Sequence, residues 1–251
     1  MNYIRAVEID TDALAGTYLY DLPVLRNFSR LKEKRIDLTS PVTFFVGENG
    51  SGKSTLIEAI AVAAGFNPEG GSRNFSFHTR ESHSTLWKNT TLIKNPVGKW
   101  KDGYFLRAES YYNVATNIEE LDRTPAMSPK VIESYGGRSL HEMSHGESFF
   151  ALLRERFWGN GLYIFDEPEA ALSPSRILAM MSVMKKLEKK NSQFIISTHS
   201  PILTAYPGAV IYEITEDGIE RRDWRMTENY LLTKGFLGNP EAFFGELFEE
   251  N

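Results

Sequence analysis

The stretch "GENGSGKST" at residues 47–55 decides the fold of this chain. It places Gly47, then four residues, then Gly52, Lys53 and Ser54, which is the spacing of a phosphate-binding loop. Glycines tolerate backbone angles that turn several N–H groups toward one anion, and a helix starting there adds its positive dipole end. The residues expected to hold nucleotide phosphates are Glu48, Asn49, Gly50, Ser51, Gly52, Lys53, Ser54 and Thr55.

The segments on either side of this loop have the character that such a loop requires. Residues 41–46, "PVTFFV", are apolar and rich in β-branched and aromatic residues, which predicts a buried strand. Residues 54–65, "STLIEAIAVAAG", predict a helix that ends at Gly65. In a strand–loop–helix arrangement, Lys53 supplies a catalytic charge to the β and γ phosphates of ATP, and the Ser54 hydroxyl faces Mg²⁺.

A second segment, "GLYIFDEPEAALSP", supplies the carboxylates that ATP hydrolysis needs. Residues 162–165 are typical of a central parallel strand, so Asp166 and Glu167 lie at its carboxyl end, where open α/β sheets bind ligands. We expect Asp166 to hold Mg²⁺ and Glu167 to polarise the attacking water. An exposed acidic turn is the alternative, and the phosphate-binding loop argues against it.

Two further segments carry polar residues at element ends. In "SQFIISTHS", residues 194–197 predict a strand, and His199 follows it as a candidate contact to the γ phosphate. In "LHEMSHGESFFALLRERF", Ser144 and Gly146 precede an amphipathic helix. A hydroxyl and a glycine amide at a helix start form a second anion-binding end. A lone histidine is more often an ordinary core or surface residue, so His199 depends on its place after the strand.

Composition narrows the classes of protein. The chain has 251 residues, a net charge of −5 and no cysteine, which excludes disulfides and thiolate sites and fits a reducing cytoplasm. We find no apolar run near the ~18 residues that span a bilayer. Residues 26–35 are rich in Lys and Arg, and are either a solvated turn or a basic patch for nucleic acid.

The motifs, in this order from about residue 41 to residue 200, resemble those of ABC-type ATPase heads. The resemblance implies an α/β P-loop fold, with a mixed, mostly parallel sheet flanked by helices and a small inserted lobe. It also implies that two heads stack head to tail around ATP. Ser144, Gly146 and Glu147 would then clasp the nucleotide of the partner, and residues 169–173, "EAALS", would link the two sites across the interface.

The chain departs from the pattern of transporter heads in two places. His145 stands where the signature of those heads has its first glycine, and the usual metal-side glutamine is missing from "GYFLRAESYYNV". Glu109 is the candidate replacement as a Mg²⁺ ligand, although it could equally be a structural partner of Arg107 or Arg138. The tail "TENYLLTKGFLGNPEAFF" and the other motifs are more similar to stand-alone bacterial ATPases of the ABC/AAA-like group.

We therefore predict one domain over residues 1–251. Residues 1–65 carry the first strands and the phosphate loop, 66–146 the inserted lobe and signature, and 147–251 the remaining motifs and two closing strands and helices. The expected function is an ATP-hydrolysing switch that forms a homodimer on ATP and acts on an unidentified protein or nucleic-acid partner. The alternatives are the nucleotide-binding subunit of an ABC transporter and a DNA-associated repair or defence ATPase.

Overall fold

The structure is a computed structural model of the chain. It describes residues 2–28, 31, 34–72, 84–107, 116, 122, 130, 132–133, 137 and 145–248. Glu109 and Ser144 lie outside these residues, as do Arg138 and parts of the basic stretch at 26–35.

The described strands form two sheets. They are β1 (Ile4–Ile9), β2 (Arg35–Asp37), β3 (Val42–Gly47), β4 (Thr90–Lys94), β5 (Asp102–Arg107), β6 (Gly161–Asp166), β7 (Gln193–Ser197), β8 (Val210–Thr215) and β9 (Gly218–Arg222). The larger sheet has the order β5-β6-β7-β3-β8-β9. Its first five strands in this order run parallel, and β9 is antiparallel to β8. The smaller sheet is antiparallel with the order β2-β1-β4. A mixed, mostly parallel sheet is thus confirmed.

The described helices flank the larger sheet or follow it. They are α1 (Lys53–Ala63), α2 (His145–Ala151), α3 (Pro174–Lys189), α4 (Pro201–Thr204), α5 (Glu228–Gly238) and α6 (Pro240–Phe248). A π-helical turn, Leu152–Arg156, continues α2. Each helix and strand predicted around the motifs exists, with ends that differ by one or two residues, as expected for element boundaries.

The central strands are apolar throughout because both faces of the larger sheet are covered. Every residue of β6 and β7 is buried. Side chains alternate between two cores: Phe45 and Ile164 face α1 and the smaller sheet, whereas Phe44 and Phe165 face α2 and α3. The two cores cover the two faces of the sheet, and the polar residues lie at the carboxyl ends of its strands.

The range predicted as an inserted lobe also contributes to the body of the domain. Within residues 66–146, β4 pairs with β1 in the smaller sheet, and β5 is the edge strand of the larger sheet beside β6. The prediction overlooked both strands because the surrounding sequence is rich in Gly, Asn and Ser. Much of the rest of that range lies outside the described residues, so the division of the chain remains a prediction.

Candidate active site

The phosphate loop joins β3 to α1 and takes backbone angles that favour glycine. Gly50 and Gly52 have φ values of +82° and +93°, in the left-handed region. A Cβ atom on Gly52 would lie 2.7 Å from Cγ1 of Val24, so the loop packs too closely there for a side chain. Both features explain why this part of the motif consists of glycine, and they leave a short loop that ends at the start of α1.

Lys53 is the first residue of α1 and is almost fully buried, with 3% of its surface exposed. Its Nζ donates a hydrogen bond to the carbonyl oxygen of Glu48 at 2.7 Å, across the loop. Burial lowers the pKa of Lys53, and the nearby carboxylates of Glu167, Asp166, Glu169 and Glu48 act in the opposite direction. An ammonium group at the start of a helix, beside the phosphate loop, is suited to an anionic ligand.

Asp166 is the last residue of β6, and the sheet register sets it beside Ser197 of β7. The Ser197 hydroxyl donates to Asp166 Oδ1 at 2.5 Å, and the Ser54 side chain lies near enough to this carboxylate to favour its charged form. Burial raises the pKa of Asp166, while Ser197, Arg107 and Ser54 favour its charged form. The predicted metal-side pair, Ser54 and Asp166, is therefore brought together.

Glu167 follows directly and adopts a backbone conformation that is uncommon for a residue with a side chain. Its φ of +49° lies in the left-handed region, and its N–H donates to the carbonyl oxygen of Ser197 at 3.2 Å. Its Oε1 lies 2.8 Å from Nε2 of His199. Both side chains are about one-third exposed, so the pair opens to solvent. Strained backbone of this kind is found frequently at functional sites.

Glu169 is a site residue whose role was not predicted. Its Oε1 accepts hydrogen bonds from the Thr198 hydroxyl at 2.6 Å, the His199 N–H at 2.5 Å and the Ser200 N–H at 3.2 Å. From the sequence, Glu169 is expected only as part of a loop that links two sites across a dimer interface. Within the same chain, the carboxylate holds the segment that carries His199, and the second acid in "DEPE" was the available signal for this contact.

Arg107, at the end of β5, is the second residue that the predictions treated only in passing. Its Nη1 donates to Glu58 Oε2 at 2.6 Å, and its Nε lies 3.8 Å from Asp166 Oδ2. Glu109, the candidate Mg²⁺ ligand two residues later, is outside the described residues. The guanidinium therefore lies between α1 and the metal-side carboxylate, where it offsets part of the negative charge of the site.

The predicted site residues fall into two groups. Lys53, Ser54, Asp166, Glu167 and His199 converge at one edge of the larger sheet, as the contacts above show. Gly146 and Glu147 lie in the first turn of α2, and Glu147 is exposed; Ser144 is outside the described residues. The role predicted for this signature segment involves a partner subunit and stays a prediction.

Comparisons with known proteins show which families this chain is similar to. A family model described as "AAA domain" matches residues 24–119, and one described as "AAA domain, putative AbiEii toxin, Type IV TA system" matches residues 131–205. The chain is 23% identical over 205 residues to an uncharacterized ABC transporter ATP-binding protein of Haemophilus influenzae, a match that covers 75% of this chain and 74% of that protein.

Other relatives are matched over a smaller part of their length. The chain is 27% identical over 168 residues to the guanosine import ATP-binding protein NupO of Bacillus subtilis, covering 60% of this chain and 31% of that protein. It is 32% identical over 107 residues to the DNA replication and repair protein RecF of Leptospira interrogans, covering 42% of this chain and 24% of RecF. This chain thus spans less than a third of either relative.

No helix among the described residues combines the length and the apolar character needed to cross a membrane. The first of these family models includes the phosphate loop with Lys53, and the second includes the segments that carry Asp166, Glu167 and His199. With the sheet order and the converging side chains, they show that the chain is similar to P-loop ATPases of the ABC/AAA-like group.

Proposed function

We propose that this chain binds ATP with Mg²⁺ and hydrolyses it to ADP and phosphate in a switch that acts on a partner. The observation that carries the proposal is the contact between Glu167 Oε1 and His199 Nε2 at 2.8 Å, beside a buried Lys53 and Asp166. A carboxylate that is oriented by a histidine, next to a phosphate-binding loop, is an arrangement suited to activating water.

The oxygen donors at the start of α1 and the end of β6 fit Mg²⁺. The Ser54 hydroxyl and the Asp166 carboxylate meet there, and Arg107 balances only part of the charge. Among the described residues no group of three or more His, Asp or Glu side chains could hold a metal ion alone. Mg²⁺ suits such a partial site, because it is usually bound by one or two protein groups together with substrate phosphates. When bound, the ion would neutralise charge that develops on the phosphate oxygens.

Each of the chain's own residues then has a defined task. The loop N–H groups and Lys53 bind and orient the β and γ phosphates. Glu167 accepts a proton from water, and His199 keeps the Glu167 carboxylate in place and reaches toward the γ phosphate. Ser54 and Asp166 face the metal.

Replacing Glu167 by Gln tests the role of water activation. The amide keeps the shape of the side chain and loses the basic oxygen, so we expect phosphate release to fall about 100-fold or more with little change in ATP affinity. The measurements are steady-state phosphate release and a nucleotide-binding titration. Glu216→Gln, in the exposed turn between β8 and β9, is the matched control. Turnover close to that of the control would assign the base to another residue, with His199 or Glu109 next.

We further propose that Mg²⁺ and ATP drive a head-to-tail homodimer in which Ser144, Gly146 and Glu147 face the partner's γ phosphate. The support is the resemblance of residues 143–147 to the ABC signature, together with the helix that begins at His145. Charge-assisted hydrogen bonds to the γ phosphate would exist with ATP and be lost with ADP.

The dimer is tested with Glu167→Gln, which retains ATP. We expect sedimentation to show a dimer with Mg²⁺ and ATP and a monomer with ADP. Adding Ser144→Arg should prevent the dimer by bulk and misplaced charge without preventing nucleotide binding. Ser182→Arg, on the exposed side of α3, is the control for a new surface arginine. Dimerisation of the Ser144→Arg protein would put the interface elsewhere.

The identity of the partner separates two further candidates. A transport role and a DNA-repair role are named for relatives of this chain. In the basic stretch at 26–35, Arg26 donates to the carbonyl oxygen of Glu216 at 2.8 Å, and Arg35 bonds Asp37 at 2.8 Å. Because these two cations have partners within the chain, this stretch gives limited support to DNA binding. DNA affinity that falls steeply with added salt would favour the repair role.

A further inference from the structure

The backbone of His199 is held from two sides by side chains of other elements. On one side, Glu169 Oε1 accepts the N–H groups of His199 and Ser200. On the other side, Asn229 Nδ2 donates to the carbonyl oxygen of His199 at 2.5 Å. The peptide groups before and after the imidazole are thus both fixed, although Asn229 is 30 residues away in the sequence.

Asn229 is itself held in place by the start of α5. The preceding residue, Glu228, donates its backbone N–H to Oε1 of Glu213 at 2.8 Å. Glu213 lies in β8, is 3% exposed and also pairs with Arg222 of β9 at 3.0 Å. A buried acceptor on the sheet therefore fixes the first turn of α5, and with it the amide that reaches His199.

The first turns of α5 also border the phosphate loop. A cavity of about 100 Å³ lies between them and is lined by Gly47, Glu48, His199, Asn229 and Leu232, among others. Asn229 thus lies between the outer surface of the domain and the edge of the larger sheet that carries Asp166, Glu167 and His199, which we call the catalytic edge. Its described contact with the site is to the peptide of His199, not to the phosphate loop.

We infer that Asn229 is a positioning residue for ATP hydrolysis, which keeps the imidazole of His199 on Glu167 by fixing the His199 carbonyl. This inference rests on the proposed function. The 2.8 Å contact between His199 Nε2 and Glu167 Oε1 depends on where the histidine backbone sits, since the side chain has only two rotatable bonds. A displacement of about 1 Å at such a contact lowers the rate of a reaction up to about 100-fold.

The informative substitution is Asn229→Asp, because it keeps the shape of the side chain. It replaces the amide donor by a carboxylate oxygen that repels the carbonyl oxygen of His199. Asn239→Asp makes the same chemical change at an exposed position just beyond the other end of α5. We expect Asn229→Asp to lower kcat about 10- to 100-fold. ATP affinity should stay within about twofold, because Lys53 and the loop N–H groups remain in place.

Phosphate release, a nucleotide titration and the ring-nitrogen signals of ¹⁵N-labelled histidine would test the inference together. The chain has five histidines, so the His199→Gln protein identifies the signal of His199. In Asn229→Asp we expect the chemical shift of this signal to move toward that of an imidazole without a fixed hydrogen-bond partner. In Asn239→Asp we expect the chemical shift to match that of the wild type. Asn229→Ala, which removes the donor without adding charge, should move it in the same direction.

The inference is overturned if kcat and the His199 signal of Asn229→Asp both match those of Asn239→Asp. It is also overturned if kcat and ATP affinity fall together while the ring signal is unchanged, since that would be a general loss of structure. If the wild type binds ATP and releases no phosphate, the proposed hydrolysis fails. In that case the ring signal alone decides whether Asn229 positions His199.

Discussion

The catalytic edge of the sheet and the C-terminal helices are built in different ways. At the catalytic edge, the strands β6 and β7 are buried along their full length, and their polar ends bond to one another. In α5, by contrast, no residue is buried. Helices α5 and α6 contact each other through the rings of Phe236, Phe243 and Phe244. Large apolar side chains stay exposed in both helices, including Leu237 and Phe248, each at 72%.

The two regions therefore differ in how much they contribute to the free energy of unfolding and in how easily they open. Residues packed on two faces contribute most to the free energy of unfolding, whereas helices with few buried contacts open at lower cost. Two hydrogen bonds nevertheless connect the exposed helix α5 to the buried sheet: Asn229 donates to His199, and the Glu228 N–H donates to Glu213. Matched substitutions in the two regions can therefore measure the difference directly.

The largest expected effect is on stability, and it compares the same substitution in the two regions. Phe44→Ala removes a fully buried ring from β3 and should lower the free energy of unfolding by about 3–5 kcal/mol. Phe248→Ala, near the end of α6, should change it by less than about 0.5 kcal/mol. Urea denaturation followed by circular dichroism gives both values. Equal losses would mean that α6 is part of the central packing, against its exposure.

A smaller effect is expected on nucleotide binding, again from one substitution in both regions. Lys53→Ala removes the buried ammonium and should weaken ATP binding at least about 30-fold, or about 2 kcal/mol. Lys234→Ala, at an exposed position of α5 over the ring of Tyr230, should leave it unchanged. A nucleotide titration by calorimetry measures both. Unchanged affinity in Lys53→Ala would remove the phosphate loop from the site.

The motifs were predictable from the sequence because each is local. Lys53 follows its strand by a few residues, and Asp166, Glu167 and His199 each end or follow an apolar run, so strand direction alone brings them to one edge. The parallel order was expected for the same reason: buried runs without alternation need cover on both faces. The left-handed backbone of Glu167 carried no such signal, since glycine or asparagine usually marks that conformation.

The contacts that the sequence did not reveal join residues far apart in the chain. The Arg107–Glu58 pair connects β5 to α1, and Asn229 meets His199 only because the hairpin of β8 and β9 returns the chain to the sheet. Neither pair has a spacing rule, because its geometry depends on the packing of whole elements. The two strands β4 and β5 were missed for a related reason: they are stabilised by pairing with distant strands more than by their own composition.

The smallest expected effect concerns pH, and it distinguishes the buried lysine from the exposed one. Burial is the main influence on Lys53 and lowers its pKa below the usual 10.5, even with the carboxylates of Glu167 and Asp166 nearby. Phosphates favour the charged ammonium, so ATP binds the protonated form. As pH rises through the lowered pKa, the free protein loses this proton and binding must restore it. Affinity should therefore be flat at lower pH and fall with rising pH, by at most about tenfold per pH unit.

The measurement is a series of ATP titrations in Mg²⁺ at increasing alkaline pH, with proton uptake obtained from buffers of different ionisation enthalpy. Lys234→Gln should follow the wild-type profile, because that lysine lies on the exposed side of α5. Lys53→Arg should bind more weakly but show a flatter profile, since a guanidinium stays charged over this range. If Lys53→Arg takes up as many protons as the wild type, the pH dependence comes from another group. In that case Lys53 carries its charge throughout, and its burial has no bearing on how the loop responds to pH.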